Sequence, residues 1–425
     1  MLKRSDLSLA GWLARLEQLH PSTIELGLDR VRRVKEAMGL APAFPLIIVG
    51  GTNGKGSTCA CLEAILTAAG YKTGLYTSPH LLRYNERVRI AGLESSDEAL
   101  IQAFEQVDAA RGDTSLTYFE FGTLGAMAQF IDAAVDVAIL EVGLGGRLDA
   151  VNVFDADVAV VTSVDLDHMD YLGDTRDKIG FEKAGIYRAG RPALCADPSP
   201  PASLIEYARQ IGADLRCVGQ DFTAQREGGQ WTYRGPATSW PALPQPAMAG
   251  AFQLRNAAGA LAALEALSAR LPVSEMAIRQ GLAAARLPGR FQRIARDPDV
   301  ILDVAHNPEA ARALAATLRE QPAAGRTLAV VGMLADKDAA AVFSALRGEI
   351  DAWWTCTPDS PRASAAAALA ATLRVYAGGA PIKMQTNVNA ALAEARSVAR
   401  EGDRILVFGS FYTVAAVLDH AATQQ

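Results

Sequence analysis

No stretch of this chain approaches the ~18 uncharged apolar residues that a bilayer core demands, so no membrane-spanning helix is expected. The opening MLKRSDLSLAGWLARL has charges, but no long apolar run and no small-residue cleavage site. It does not read as a signal peptide. Basic residues are not in excess. The formal net charge is −6, which argues against a phosphate-backbone binder and so against a nucleic-acid partner. A local basic site for a small anion stays allowed. Cysteine is scarce, with five residues: Cys59, Cys61, Cys195, Cys217 and Cys356. Their number is odd and their spacing scattered. The Cys59-x-Cys61 pair lacks the two-residue gap of a zinc knuckle or redox site. The expectation is reduced thiols in the core of a cytoplasmic protein, with no membrane partner.

What is present is apolar and punctuated by glycine. Half of the 425 residues are hydrophobic, enough for sizeable cores. The length allows about two or three domains. The first 40 residues read as amphipathic helix broken by Pro21. Strand-type runs follow at 45–50, 73–77, 135–142 and 157–164, mostly apolar rather than alternating, as strands covered on both faces are. Helical stretches between them give a βα alternation and a parallel sheet. Texture changes over 217–249, where Trp231, Trp240 and a proline-rich stretch predict a β-rich excursion or a long loop. An alanine-rich helix resumes at 253–268. Residues 287–297 read as a linker. A second series then sets strands at 300–304, 327–333, 352–356, 381–385 and 404–408 before helices at 308–319, 338–346, 364–374, 388–400 and 411–420. The organisation expected is α/β throughout: a parallel-sheet domain over 1–286, P-loop-type by the glycine-rich turn at 50–57 between its first strand and helix, then a Rossmann-like α/β domain over 298–425. The second series lacks a G-x-G-x-x-G after its first strand, so the fold does not imply a dinucleotide.

Four clusters carry chemistry. Gly50-Gly-Thr-Asn-Gly-Lys-Gly-Ser57 stands between a strand and a helix. Its glycines let backbone N–H groups curl round a phosphate, and the helix N-terminus adds positive charge. Lys55 can reach outer phosphates and Ser57 can help hold Mg²⁺, although Gly56 separates them and departs from the usual spacing. An ordinary tight turn is the alternative. Glu141-Val-Gly-Leu-Gly-Gly-Arg147 puts a carboxylate at a strand's carboxyl end, suited to Mg²⁺ or to a salt bridge. Asp165-Leu-Asp-His-Met-Asp-Tyr-Leu-Gly-Asp174 crowds four acids and a histidine after another strand. Asp174-Thr175 reads as a helix cap. His168 reads as a polar loop residue, or as a metal ligand on a strand edge neighbouring that of Glu141. Asp303-Val-Ala-His-Asn-Pro308 ends the first strand of the second series. It is a ligand-facing edge or only a capped turn, with Pro308 suiting the first helical position.

These pieces, in this order, resemble the folylpolyglutamate synthase family, part of the Mur-ligase superfamily of ATP-dependent amide ligases. The likeness runs through Gly51-Thr-Asn-Gly-Lys-Gly-Ser57, Thr77-Ser-Pro-His-Leu81, Asn85-Glu-Arg87, Tyr118-Phe-Glu-Phe-Gly122 and Glu141-Val-Gly-Leu-Gly-Gly-Arg-Leu-Asp149. It continues with Asp167-His168, Phe181-Glu-Lys-Ala-Gly-Ile186, Pro288-Gly-Arg-Phe291, Asp303-Val-Ala-His-Asn-Pro308 and Gly409-Ser-Phe-Tyr412. The resemblance implies that Gly51, Thr52, Asn53, Gly54, Lys55, Gly56 and Ser57 bind ATP phosphates. It implies Ser78, Glu141 and His168 as Mg²⁺ ligands, with Ser57 assisting. Lys183 would be carbamylated by CO₂ and hold a second Mg²⁺; composition alone favours a helix-surface lysine. Asn256 would contact adenine, and Arg290, Asp303 and His306 the nucleotide. Phe119 and Asp149 would hold the pterin, with Thr117 and Arg87 on the substrate side. Lys55, Lys183 and His306 would carry the catalytic work.

The implied substrates are ATP, L-glutamate and folates. Thr117-Tyr-Phe-Glu-Phe121 resembles bifunctional bacterial enzymes, which adds dihydropteroate and a dihydrofolate synthase activity. The implied reaction passes through an acyl phosphate. A monomer is expected. A polyglutamylating enzyme alone, another Mur-type amino-acid ligase, and a nucleotide-dependent binding module are the rival readings. The phosphate loop alone permits the last, and the polar edge of the second domain argues against it.

Overall fold

A computed structural model describes residues 7–22, 24–250 and 252–423. The first six residues of the segment weighed as a leader lie outside them. The chain divides into two compact units, residues 1–247 with 254–286, and residues 248–253 with 287–425.

The first unit is built on an eight-stranded sheet. Its strands are β1 (Leu46–Gly50), β2 (Thr73–Tyr76), β3 (Val88–Ile90), β4 (Leu93–Glu94), β5 (Val137–Glu141), β6 (Val158–Val161), β7 (Pro192–Cys195) and β8 (Asp214–Cys217). The spatial order is β4-β3-β2-β5-β1-β6-β7-β8. The run from β2 to β8 is parallel, whereas β3 and β4 add antiparallel at one edge. Strands β1, β5 and β6 are buried at every position, which explains their mostly apolar, non-alternating sequence. The Leu9–Leu19 helix turns Trp12 inward against Phe104 and Phe121, with ring centroids 6.1 and 6.3 Å away. All five cysteines are free and buried.

The excursion after β8 is a three-stranded antiparallel sheet, β9 (Thr223–Glu227), β10 (Gln230–Arg234) and β11 (Ser239–Pro244), rather than a loop. Trp231 and Tyr233 of its middle strand are fully buried. The helix after it spans Phe252–Ala266.

The second unit holds β12 (Gln292–Ala295), β13 (Asp299–Asp303), β14 (Thr327–Val331), β15 (Ala352–Thr355), β16 (Ile382–Met384) and β17 (Arg404–Phe408). Their order is β12-β13-β17-β14-β15-β16. All neighbours from β13 onward are parallel, and a helix follows each strand from β13 to β17. This is the doubly wound pattern. One part of the expected linker is corrected. Residues 292–295 are strand β12, paired antiparallel beside β13 at the sheet's edge. An edge strand is only half covered, so its sequence carries little of the apolar signal that marks β13 or β14.

Candidate functional site

Strand β1 leaves the sheet at Gly50, and the chain turns into the Lys55–Ala68 helix. The turn is tied to the chain just after β6. The N–H of Thr52 donates to the Ser163 carbonyl at 2.8 Å, and that of Asn53 to Ser163 Oγ at 3.0 Å. Thr162 Oγ1 donates to the Asn53 carbonyl at 2.6 Å. Thr52 Oγ1 both donates to the Asp165 carbonyl and accepts from its N–H, each at 3.0 Å. Two glycines are sterically required. Gly51 has φ +144° and Gly54 φ +89°; a Cβ would collide with Thr162 Oγ1 at the first and with Asn256 Oδ1 at the second. Gly54 caps the helix, so the amides after it form its positive end. Lys55 Nζ arches over the turn, donating to the carbonyls of Gly51 at 3.0 Å and Thr52 at 3.2 Å. Gly56 and Ser57 are buried in the first helical turn.

Metal-type donors flank this turn on both sides. Strand β5 lies beside β1 and ends in buried Glu141, whose Oε2 accepts the N–H of Ser78 at 3.1 Å. Ser78 follows β2, the next strand outward. His168 follows β6 on the other side. The expectation that its strand neighbours that of Glu141 fails, because β1 lies between β5 and β6. Strand order is a long-range property that local sequence does not carry. The glycine turn at 51–57 therefore stands between the two donors. His168 itself has φ +49° and heads the short Met169–Leu172 helix. Thr175 caps the next helix, accepting from the N–H of Lys178 at 3.2 Å, while Asp174 pairs with Lys178 Nζ at 2.9 Å.

Among the described residues no three His, Cys, Asp or Glu side chains gather as a metal cage. That donor chemistry fits Mg²⁺, which keeps waters and takes one or two carboxylates plus substrate phosphates. Ser57, Ser78, Glu141 and His168 are the residues present that could supply the protein's share.

Lys183 lies in the last turn of the Arg176–Ala184 helix and is buried, 3% exposed. The surface-lysine alternative is thereby corrected. The glycine stretch after β5 packs on this turn. A Cβ at Gly146 would sit 3.0 Å from Lys183 Cα, and the Arg147 N–H donates to the Glu182 carbonyl at 2.7 Å.

A half-buried aromatic face forms in the same unit. Thr117 caps the Tyr118–Asp132 helix in a reciprocal box with Glu120. The Phe119 ring lies on Gly143, where a Cβ would come within 2.8 Å of it, and its centroid is 5.6 Å from that of Tyr76. Buried Asp149 accepts the N–H groups of Leu144 at 2.8 Å and Val151 at 3.1 Å. Burial pushes its carboxyl up to about 7, and these backbone donors oppose the rise only in part. The 143–149 segment thus brings Phe119 and Asp149 to one place.

Arg87 contacts the neighbouring ring, Tyr118. Two residues given no role by the sequence shape this corner. His80 accepts from Arg87 Nε at 2.8 Å, and its basicity is held down to about 4 by burial and then by the Arg87 charge. Glu86 accepts the N–H groups of Leu81, Leu82 and Arg83, the first two at 2.7 Å and the third at 2.8 Å, fixing the loop after Ser78. Their one local signal is their place within Ser78-Pro-His-Leu-Leu-Arg-Tyr-Asn-Glu-Arg87.

In the second unit Asp303 closes β13. Its Oδ2 accepts the Phe291 N–H at 2.9 Å and its Oδ1 the Ala305 N–H at 2.8 Å. Burial raises its carboxyl, and the Arg290 guanidinium opposes that. Arg290 lies over the Phe411 ring at 5.6 Å, and the His306 ring is 6.2 Å from the same ring. Asn307 caps the Pro308–Glu320 helix, with Pro308 in its first turn. Asn256, buried on the Phe252–Ala266 helix, belongs to the first unit, where its side chain abuts Gly54.

Known proteins resemble this chain along nearly its whole length. Residues 49–196 match the Mur ligase middle domain, and residues 289–411 the Mur ligase, glutamate ligase domain. A dihydrofolate synthase/folylpolyglutamate synthase of Escherichia coli is 47% identical over 97% of this chain and 95% of its own length. The structure of E. coli FolC in complex with DHPP and ADP superposes with a TM-score of 0.95, at 46% identity and 99% coverage of both chains. The bifunctional folylpolyglutamate synthase/dihydrofolate synthase of Yersinia pestis, complexed with AMPPNP and Mn ion, gives 0.92 at 45% identity, with 100% of both chains covered.

Proposed function

This chain belongs to the dihydrofolate synthase/folylpolyglutamate synthase family of Mur-type ligases, and from that premise we propose that it uses ATP to join L-glutamate to dihydropteroate and to folates. The observation that carries the reading is the turn at 51–57, pinned to the chain after β6 and flanked by Ser78, Glu141 and His168. A bare glycine turn suits many phosphates. One bracketed by Mg²⁺-type donors, in a unit with a half-buried aromatic face, suits an acid that must be phosphorylated.

The chemistry follows from the carboxylate. Its oxygen is too poor a leaving group for direct attack by an amine. Transfer of the γ-phosphoryl group to that oxygen gives an acyl phosphate and ADP. The neutral amine of glutamate then attacks the acyl carbon, loses a proton, and phosphate departs as the amide forms. The protein positions and neutralises rather than bonding covalently. The amides of the 51–57 turn cradle the phosphates. Lys55 exchanges the carbonyls of Gly51 and Thr52 for the outer phosphate oxygens. Ser57, Ser78, Glu141 and His168 would hold Mg²⁺, which lowers the charge barrier to transfer.

Lys183 is read as carbamylated. Its side chain is buried beside the glycine stretch after β5, and the carbamate would offer oxygens to a second Mg²⁺ there. The Phe119 face suits a stacked pterin, and Asp149 its amino-pyrimidine edge, with Thr117 fixing the helix that carries Phe119. Asn256, Arg290, Asp303 and His306 serve the nucleotide. Residues 1–286 are read as the ATP- and pterin-binding domain and 298–425 as the ligase domain. The enzyme is read as a cytoplasmic monomer; among the described residues no helix is long and apolar enough to cross a membrane.

The test uses dihydropteroate labelled with oxygen-18 in its carboxylate. With MgATP and glutamate, each amide formed must leave one labelled oxygen in phosphate. Label-free phosphate during amide synthesis would exclude the acyl phosphate.

A further inference from the structure

Three arginines between residues 83 and 89 are treated differently. Arg83 pairs with Glu94 at 2.7 Å, and Arg89 with Glu63 at 3.2 Å. Arg87, between them, has no carboxylate partner among the described residues. Its Nε donates to His80 Nδ1 at 2.8 Å. Its guanidinium carbon lies 5.4 Å from the Tyr84 ring centroid and 5.5 Å from that of Tyr118. Nε–H is only a donor, so His80 Nδ1 must be the unprotonated nitrogen of a neutral ring. A half-buried cation is thus held by two aromatic faces and one neutral acceptor, and none of these cancels its charge. Among the described residues neither terminal nitrogen has a hydrogen-bond partner, which leaves both to make the parallel pair of bonds that matches a carboxylate.

The place of Arg87 bears on which carboxylate it meets. Its carbonyl accepts the Thr77 N–H at 2.9 Å, so the residue sits where β3 begins, beside the carboxyl end of β2. Three strand spacings, through β2 and β5, separate β3 from β1, which is about 14 Å. The reacting carboxylate has to lie at the phosphate turn that follows β1. Dihydropteroate has only that carboxylate. A folate also carries a glutamyl carboxylate that takes no part in the reaction.

Resting on the ligase reading above, we propose that Arg87, oriented by His80, is the receptor for a non-reacting carboxylate of the folate's glutamyl tail. Arg87 then separates the two activities of one site, and His80 is a positioning residue that acts through it. Tyr118 joins this receptor to the pterin face, since it is adjacent in sequence to Phe119 at the start of the same helix.

The experiment compares initial rates of the full-length enzyme with MgATP and glutamate while either tetrahydrofolate or dihydropteroate is varied. Arg87→Gln is expected to raise KM for tetrahydrofolate about 10- to 100-fold more than KM for dihydropteroate, with kcat changed less, as loss of a charged hydrogen-bond pair implies. His80→Phe should repeat this split more weakly. His80→Asn, which keeps an acceptor near the Nδ1 position, should restore much of the wild-type ratio; a purely structural histidine would not give that rescue. Thermal denaturation reports whether each variant folds, and equilibrium binding of folate against pteroate gives the same ratio without turnover. Equal losses for both acids would overturn the proposal while leaving the ligase reading intact. A wild-type enzyme that neither binds nor turns over either acid would overturn both.

Discussion

The two units bury an aspartate in the same way and put it to different use. Asp149, after β5, takes two backbone N–H groups and shapes the glycine stretch under Phe119. Asp303, at the end of β13, takes two backbone N–H groups and shapes the turn before the Pro308–Glu320 helix. Burial raises both carboxyls, but only Asp303 has a guanidinium, that of Arg290, as its leading opposition. The strand edges differ in the same sense. The first unit offers backbone amides at a glycine turn; the second offers side chains, Arg290 and His306, beside the Phe411 ring. Parallel sheets provide the place at their carboxyl edge, and loop composition decides which ligand chemistry is met there.

Substitutions can break this contrast. The largest effect belongs to the amide-lined edge. Lys55→Ala should lower kcat/KM about 1,000-fold through lost stabilisation of transferring charge, with an almost unchanged thermal midpoint. Near-normal turnover would remove the phosphate turn from the mechanism. Gly54→Ala should cost about 30- to 100-fold, because a left-handed φ and a collision with Asn256 must both be accommodated. Calorimetric titration with ATP would locate that loss in nucleotide affinity; unaltered affinity would mean that the turn yields without cost.

A smaller effect appears in stability against pH. The Asp149 carboxyl has its folded value raised to about 7 from an ordinary 3.8, so folding favours its protonated form. The stability it contributes is fully present below about pH 4 and is lost as pH rises through 7. Asp149→Asn should flatten that decline in urea unfolding followed across this range. A slope untouched by Asp149→Asn would contradict the assignment. Smallest is Asn307→Ala in the second unit, which removes a helix cap and should cost about 1 kcal/mol of unfolding free energy.

Much of this architecture is legible in sequence because the central strands are buried at every position. Strands β1, β5, β14 and β17 therefore appear as mostly apolar runs without alternation. Edge strands are harder to read. Gln292–Ala295 passes for linker because its residues are only partly covered. The three-stranded sheet after β8 shows only as a change of texture, since Trp231 and Tyr233 are buried by partners from other strands. The glycine turn at 51–57 is legible because its conformation is local and glycine writes it into the sequence. The neighbours of Glu141 and His168 are not, because β1 enters between their strands from far earlier in the chain. Buried Lys183 looks like a surface lysine for a related reason: the Gly146 backbone that covers its turn comes from another element.

The central claim is tested most directly by phosphate release from the purified protein with MgATP, using dihydropteroate and tetrahydrofolate separately, each with and without glutamate. Turnover that depends on glutamate with both acids is the predicted result. Release indifferent to glutamate and to either acid would contradict the account, leaving a nucleotide-binding α/β protein without the ligase chemistry.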